Sequence, residues 1–209
     1  MYEYVSRIMR IKLSSMKTKQ IYGYYINPDH YVLRREKIEE VVNGLGLAST
    51  YRINPFIDTD PNKCNRMSRA HLMAIEMADT KKHYPYILFE DDCLPMQDFP
   101  KEIPIPAEAD LIYLGGSRYW DPQLPPMGLG LFDDDYLRVL YMLSAHAILI
   151  PDANGANIIW EAYTKAISKG EFNDVHLAKA SDKYNFLVPK KGFYFYQEGV
   201  NEGVTRFYL

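Results

Sequence analysis

The sequence predicts an α/β sandwich in which helices cover a mixed central sheet. Strand-like segments alternate with amphipathic helices from Ile21 onward, and two consecutive strand-like stretches, at about 136–141 and 145–150, favour antiparallel pairs in the same sheet. The chain has 209 residues, of which 47% are hydrophobic and 24% are charged, as is typical of one globular domain with a substantial core. This composition excludes intrinsic disorder and fibrous architectures.

The first strand and the first helix are predicted from neighbouring segments. The run IYGYYI, which starts at Ile21, is aromatic and branched, and we expect it to form a strand that ends at Asn27 and Pro28. Residues 34–47 place apolar side chains at helical spacing between charged ones, and two glycines close the segment. This segment is therefore predicted to be an amphipathic helix.

The same alternation continues into the middle of the chain. TYRINPFID, residues 50–58, is predicted to be the second strand, and the Asp-Pro pair at 60–61 is typical of the start of a helix, which we expect to reach about residue 82. The next strand, YPYILF, is apolar on both faces, as expected in the middle of a covered sheet. It ends directly at three carboxylates, Glu90, Asp91 and Asp92.

The second half of the chain has shorter elements. A further apolar strand, DLIYLGG, is followed by residues 117–135, whose three prolines and two glycines predict a long binding loop or lid. After the two late strands, helices are predicted at 151–168 and 174–181. Short strands are then expected at FLVP and GFYFYQ.

Charge is unevenly distributed along the chain. Residues 1–19 contain five basic residues and one acidic residue, and we interpret them as a loose N-terminal extension to a single domain at 20–209. The remainder is acidic, which disfavours nucleic acid as the main ligand. Two cysteines, no membrane-length apolar run and no recognisable signal peptide predict a soluble, cytoplasmic protein.

The three adjacent carboxylates are the strongest chemical signal in the sequence. In open α/β sheets, ligands bind beyond the carboxyl ends of the strands, and a divalent cation with oxygen ligands offsets the repulsion between neighbouring carboxylates. We therefore predict a metal site here, with a solvated acidic turn as the alternative. Either His146 or His176 could complete the metal shell, and His176 is preferred because its neighbours are polar.

Several segments occur in the order and spacing of one known family: INPDHYVLR at 26–34, FID at 56–58, MSRAHLMAIEMA at 67–78 and YILFEDD at 86–92. The pattern resembles the family 25 glycosyltransferases, of the lipopolysaccharide and collagen galactosyltransferase type. The resemblance extends to DLIYLGG and AHAILIPDANGA and covers about residues 21–200. The chain departs from the family pattern at Pro28 and Ala70, and it lacks the arginine pair after Asn27.

This resemblance implies a GT-A-like, Rossmann-like α/β/α sandwich with a mixed, mainly parallel sheet. It also implies a nucleoside-diphosphate-sugar donor, with a uridine diphosphate sugar expected first, and Mn²⁺ or Mg²⁺ at a motif whose ends are Glu90 and Asp92. Asp92 is the expected direct ligand, and contact of Glu90 or Asp91 with ribose, sugar or a metal-bound water is the alternative to direct metal binding. Such an ion neutralises charge on the leaving group. The donor would contact Asn27, Arg34, Asp58, His71 and Asp91. As alternatives, His71 is a buried core histidine, Arg34 a solvated helix charge and Asp58 a turn residue.

A general base is needed if the reaction inverts the anomeric centre, because the acceptor hydroxyl must lose a proton. Asp174 is the candidate, since the family has an acidic residue before a helix at about this place, and Asp182 is the reserve. A helix cap is the alternative role for Asp174. The aromatic rings of Tyr119 and Trp120 suit a sugar acceptor. Retention of configuration stays open.

The predicted function is thus a metal-dependent glycosyltransferase that moves a sugar to a hydroxyl of a glycan or glycoconjugate. A modified nucleobase is a disfavoured acceptor, given the acidic body of the protein. Two other functions stay open from the sequence: a metal-dependent phosphodiesterase or nuclease that uses the same carboxylates, and an idle domain that binds sugar nucleotides without catalysis.

Overall fold

The computed structural model describes residues 14–55, 60–116, 128–143 and 146–198. In chain order, the elements within these ranges are β1 (Ser14–Lys17), a 3₁₀ turn (Thr18–Gln20), β2 (Tyr22–Ile26), α1 (Val32–Gly44), β3 (Ser49–Ile53), α2 (Lys63–Lys81), β4 (Tyr86–Glu90), β5 (Cys93–Pro95), β6 (Glu102–Ile105), β7 (Leu111–Gly115), β8 (Gly128–Leu131), β9 (Tyr136–Tyr141), β10 (Ala147–Ile150), α3 (Ala153–Lys169), α4 (Asn173–Ala180), β11 (Phe186–Pro189) and β12 (Phe195–Gln197). None of the helices in these ranges is both long and apolar enough to cross a membrane.

Ten of these strands form one mixed sheet, whose main path runs β3-β2-β4-β10-β7-β11-β9-β8. The parallel pairs are β2 with β3 and β4, and β7 with β11 and β12. The antiparallel pairs are β10 with β4 and β7, β9 with β8 and β11, and β5 with β12. The predicted mixed α/β sheet is therefore confirmed, but parallel pairs do not predominate among the described strands.

Helices and a small second sheet cover the two faces of the main sheet. Because strand side chains alternate between faces, Tyr24 packs with the apolar sides of α2 and α3, whereas its neighbour Tyr25 packs with α1. The second face is completed by β6, which pairs with β1 in a two-stranded sheet. This arrangement is the predicted sandwich.

Local boundaries differ from the predictions at several places. Residues 14–17, expected within a loose extension, form β1 and pair with 102–105. Asn62, not Asp60, caps α2, because its side chain accepts a hydrogen bond from the Cys64 amide at 2.8 Å. The predicted loop at 117–135 contains β8, and its residues 117–127 lie outside the described ranges.

Candidate functional site

The carboxylate motif lies at the carboxyl edge of the sheet because of strand register. β2 and β4 are parallel, with Ile26 opposite Glu90, so the residues that follow both strands meet at one edge. β10 is antiparallel to β4, with Ala147 opposite Phe89, so the N-terminal end of β10 lies at the same edge. As a result, His146 lies beside Glu90, whose amide donates to the His146 carbonyl at 2.9 Å.

Glu90 lies between two histidines. His146 Nδ1 is 3.1 Å from Glu90 Oε2, and His71 Nε2 is 3.4 Å from Glu90 Oε1. Burial acts to raise the pKa of Glu90, but the contacts with His146 and His71 outweigh burial and lower it. Burial likewise opposes the charged form of His146, yet Glu90 raises the pKa of this imidazole above its ordinary value. Glu90 is thus held as a carboxylate.

Asp91 is turned toward the end of β2. Its Oδ2 accepts from Asn27 Nδ2 at 2.8 Å, and its Oδ1 accepts from Arg34 Nη1 at 3.2 Å. Asn27 is fully buried and Asp91 is 8% exposed. Three residues predicted to bind the donor therefore form one bonded group that ties the carboxylate turn to β2 and α1.

Asp92 keeps one oxygen without a partner. Its Oδ2 accepts from Gln197 Nε2 at 3.0 Å and lies 3.5 Å from Arg34 Nη1. Its Oδ1 is buried and makes no hydrogen bond within the described part of the chain. Burial and the negative charge of Glu90 raise the pKa of Asp92. A nearby cation would offset the cost of burying a carboxylate oxygen that has no hydrogen bond.

The geometry of these residues fits a divalent ion. Glu90, Asp92 and His146 each offer one ligand atom, and these atoms lie within 4.8 Å of one another. Carboxylate oxygens suit Mn²⁺ and Mg²⁺, and imidazole is a common ligand of transition metals. The unpartnered oxygen of Asp92 is the observation that favours an ion here over a purely solvated turn.

A cavity of about 550 Å³ opens beside the carboxylates. Ligand sites usually have volumes of this order. Its basic side chains are Arg34, Lys63 and Arg66, which come from α1 and the first turns of α2. Apolar groups complete much of the wall, namely Ile26, Pro28, Tyr31, Pro55, Met67 and Ala70. The cavity thus combines carboxylates, cations and apolar surface.

Asp174, the candidate base, lies on α4. It lies in the first turn of that helix, whose N-cap is Phe172, so the structure does not use Asp174 as the N-cap residue. Its Oδ1 accepts from the Val175 amide at 2.8 Å. Burial, followed by the charge of Glu90, raises the pKa of Asp174 above its ordinary value of 3.8. The carboxyl group therefore interacts electrostatically with the motif.

Among the described residues, the side chain whose ligand atom lies with those of Glu90 and Asp92 is His146 and not the preferred His176. His176 Nε2 is 2.6 Å from Glu171 Oε2, and His146 takes the place beside Glu90. Sequence polarity favoured His176, but antiparallel pairing of β10 decides which histidine reaches the edge. Asp182 lies after the end of α4 and is exposed. Asp58, Tyr119 and Trp120 lie outside the described residues.

Three residues at the site were not found from the sequence. Gln197 ends β12 and contacts Asp92, whereas Lys63 and Arg66 line the cavity. Lys63 and Arg66 are three residues apart in the predicted helix, so the sequence could have placed them on one helix face. Gln197 carries no comparable signal, because its place depends on the pairing of β12 with β5 and β7.

No protein-family model and no curated protein matches this chain. Among solved structures, the chain is similar to a glycosyltransferase involved in the glycosylation of the major capsid of PBCV-1, with 10% identity, a TM-score of 0.53, and coverage of 87% of this chain and 94% of that chain. It is also similar to the nucleoside-diphosphate-sugar pyrophosphorylase from Vibrio cholerae RC9, with 12% identity, a TM-score of 0.46, and coverage of 82% and 73%. The first similarity shows a glycosyltransferase-like fold.

Proposed function

We propose that this protein is a metal-dependent glycosyltransferase that uses a nucleoside diphosphate sugar, with a uridine diphosphate sugar as the first candidate. The observation that carries the proposal is the cluster of Glu90, Asp92 and His146 at the edge of a cavity that also contains cationic side chains. The glycosyltransferase-like fold supports the reaction class. The resemblance to family 25 supports the same donor class.

Glu90, Asp92 and His146 would hold Mn²⁺ or Mg²⁺. The bound ion would supply Lewis-acid stabilisation of the diphosphate leaving group. The chain's own contribution is to keep Glu90 ionised through His71 and His146, and to leave Asp92 Oδ1 without a competing hydrogen bond. Asp91 has a different role, because both of its oxygens are bonded to Asn27 and Arg34.

The cavity provides complementary groups for the rest of the donor. Arg34, Lys63 and Arg66 line it and can donate hydrogen bonds to phosphate oxygens, for which guanidinium groups are especially suited. The apolar wall can cover a base or a ribose. The donor would therefore be bound between the positive side chains of α1 and α2 and the carboxylate edge of the sheet.

Asp174 would act as the general base of an inverting reaction. Its raised pKa makes it a stronger base than an ordinary aspartate, and it is close enough to Glu90 and His146 to interact with them electrostatically. Asp174 would take the proton of the acceptor hydroxyl as the oxygen attacks the sugar. The expected acceptor is a glycan or glycoconjugate, as in the family that the sequence resembles.

Transfer can be tested with a panel of nucleotide sugars and hydroxyl acceptors, with Mn²⁺ or with a chelator. We expect acceptor-dependent release of the nucleoside diphosphate that requires Mn²⁺. Asp92→Asn should abolish this release, because it weakens an ion ligand. The matched control is Asp98→Asn, which makes the same change at an exposed residue six positions later and should leave release unchanged.

The other outcomes separate the alternative functions. Metal-dependent cleavage of phosphodiesters without any acceptor would instead support the phosphodiesterase. Donor binding without release of the nucleoside diphosphate, across the whole acceptor panel, would support the idle binding domain.

A further inference from the structure

Gln197 is a residue of the site to which the proposed function assigns no role. It ends β12 and lines the cavity, and its amide nitrogen, Nε2, lies 3.0 Å from Asp92 Oδ2. An amide nitrogen donates, whereas the amide oxygen would repel a carboxylate, so Nε2 is the atom that faces Asp92. This hydrogen bond therefore occupies one oxygen of a residue that is proposed to bind the ion.

Backbone contacts hold the end of β12 beside the carboxylate turn. In the antiparallel pair of β12 with β5, Gln197 lies opposite Cys93, the residue that follows Asp92. The next amide, that of Glu198, donates to the Asp92 carbonyl oxygen at 2.8 Å, and the Glu198 side chain forms an ion pair with Lys37 on α1. Because these contacts do not use the Gln197 side chain, that side chain is available to orient Asp92.

Gln197 and Arg34 both lie near Asp92 Oδ2, but their contacts are not equivalent. Arg34 Nη1 is 3.5 Å from this oxygen and is closer, at 3.2 Å, to Asp91 Oδ1. Gln197 therefore makes the shorter contact with Asp92. The other oxygen of Asp92, Oδ1, is buried and accepts no hydrogen bond from the described residues. The two oxygens of one carboxylate thus differ, because one is bonded and the other is available.

We propose that Gln197 is a positioning residue, which binds Asp92 Oδ2 and so keeps Oδ1 as the oxygen that Asp92 offers to the ion. The inference rests on the proposed function, because it concerns a ligand of the same metal centre. Without the amide, Asp92 could turn both oxygens toward Arg34, since a guanidinium group can bond a carboxylate through two N–H groups. Partners that orient ligands in this way affect metal affinity by about 10–100-fold.

Two glutamine substitutions test this role. Gln197→Met removes the donor but keeps a side chain of similar length. The matched control is Gln97→Met, because Gln97 follows β5 and its Nε2 donates to the Phe193 carbonyl oxygen, at 2.7 Å, just before β12. Mn²⁺ affinity is measured by calorimetry on chelator-treated protein, and the electron paramagnetic resonance (EPR) spectrum of bound Mn²⁺ reports the arrangement of its ligands. Thermal unfolding without metal checks that each variant is folded.

We expect Gln197→Met to bind Mn²⁺ about 10–100-fold more weakly than the wild type, and the ion bound at saturation to give an altered EPR spectrum. Gln97→Met should match the wild type in affinity and in spectrum, because its amide bonds to the backbone and not to Asp92. Should Gln197→Met fail to fold, Gln197→Ala, which also lacks the donor, takes its place.

Equal Mn²⁺ affinity in the wild type and Gln197→Met would overturn the positioning role, and so would a weaker affinity with an unchanged EPR spectrum. Equal losses in Gln97→Met would also overturn it, because they would reflect a general effect on β5 and β12. If neither Gln197 variant folds, the side chain is structural and the inference is wrong. A wild-type protein that binds no Mn²⁺ would instead overturn the proposed metal centre, so the two failures give different results.

Discussion

Three consecutive carboxylates at the end of β4 have three different environments. Glu90 lies between histidines, Asp91 is bonded to Asn27 and Arg34, and Asp92 retains a buried oxygen without a hydrogen bond in the described structure. Adjacent residues diverge in this way because the chain turns directly after the strand. The unpartnered oxygen distinguishes Asp92 from Asp91, both of whose oxygens accept hydrogen bonds from Asn27 and Arg34.

At the residue scale, Asp174→Asn separates binding from catalysis. The amide keeps the shape of the side chain but cannot take the proton of the acceptor hydroxyl. Transfer should therefore fall by roughly 10²–10⁴-fold, while the affinities for donor and Mn²⁺ stay nearly constant. Steady-state kinetics and calorimetry check the two parts. Asp182→Asn tests the reserve candidate, and we expect little effect because Asp182 is exposed.

The pH profile provides a second readout of the same prediction. Because the pKa of Asp174 is raised above 3.8, its basic form is lost as pH falls through that raised value. Transfer by the wild type should therefore decline on an acid limb whose midpoint is above 3.8, and Asp174→Asn should lack the limb. Full transfer by Asp174→Asn, with the acid limb intact, would show that the base is another group.

At the element scale, the order and type of most elements could be predicted from periodicity and turn residues. The strand before Glu90 and the helix that follows Asp152 are confirmed, and Asp152 caps that helix by accepting from two amides. Strand pairing could not be predicted, because neither periodicity nor composition specifies which strands lie side by side. For this reason, the sequence analysis could place the carboxylates at the end of a strand. It could not show that His146, rather than the preferred His176, lies beside Glu90.

A pair of glycine substitutions tests how closely α3 packs against the residue that precedes β7. A helical Gly→Ala change ordinarily stabilises by up to about 1 kcal/mol. At Gly155, however, a Cβ would lie 2.3 Å from the Asp110 carbonyl oxygen, whereas at Gly44 it would meet nothing within 4 Å. We expect Gly155→Ala to lower the free energy of unfolding by about 1–3 kcal/mol, and Gly44→Ala to raise it slightly.

Denaturant unfolding of both variants measures this difference. If Gly155→Ala were as stable as Gly44→Ala, the close approach of α3 to residue 110 would be incorrect. The comparison is matched, because both changes add the same methyl group to a helix.

At the scale of the whole molecule, the site joins parts that are distant in the chain. The cavity draws on α1, α2 and the ends of β2 and β4, and Gln197 contributes from the end of β12. Asp174, on α4, is near enough to Glu90 for the charge of Glu90 to raise its pKa. The proposed donor-binding groups and the proposed base thus come from different elements, which is why sequence spacing could not predict that they belong to one site.

The central claim is that an ion on the carboxylate cluster links the protein to a nucleoside diphosphate. Calorimetric titration of uridine diphosphate into the wild-type protein, once with Mn²⁺ and once with a chelator, tests this claim most directly. We predict binding that depends on Mn²⁺, because Glu90 and Asp92 would otherwise repel the diphosphate, and loss of that binding in Asp92→Asn. Equal affinity with Mn²⁺ and with the chelator would contradict the claim.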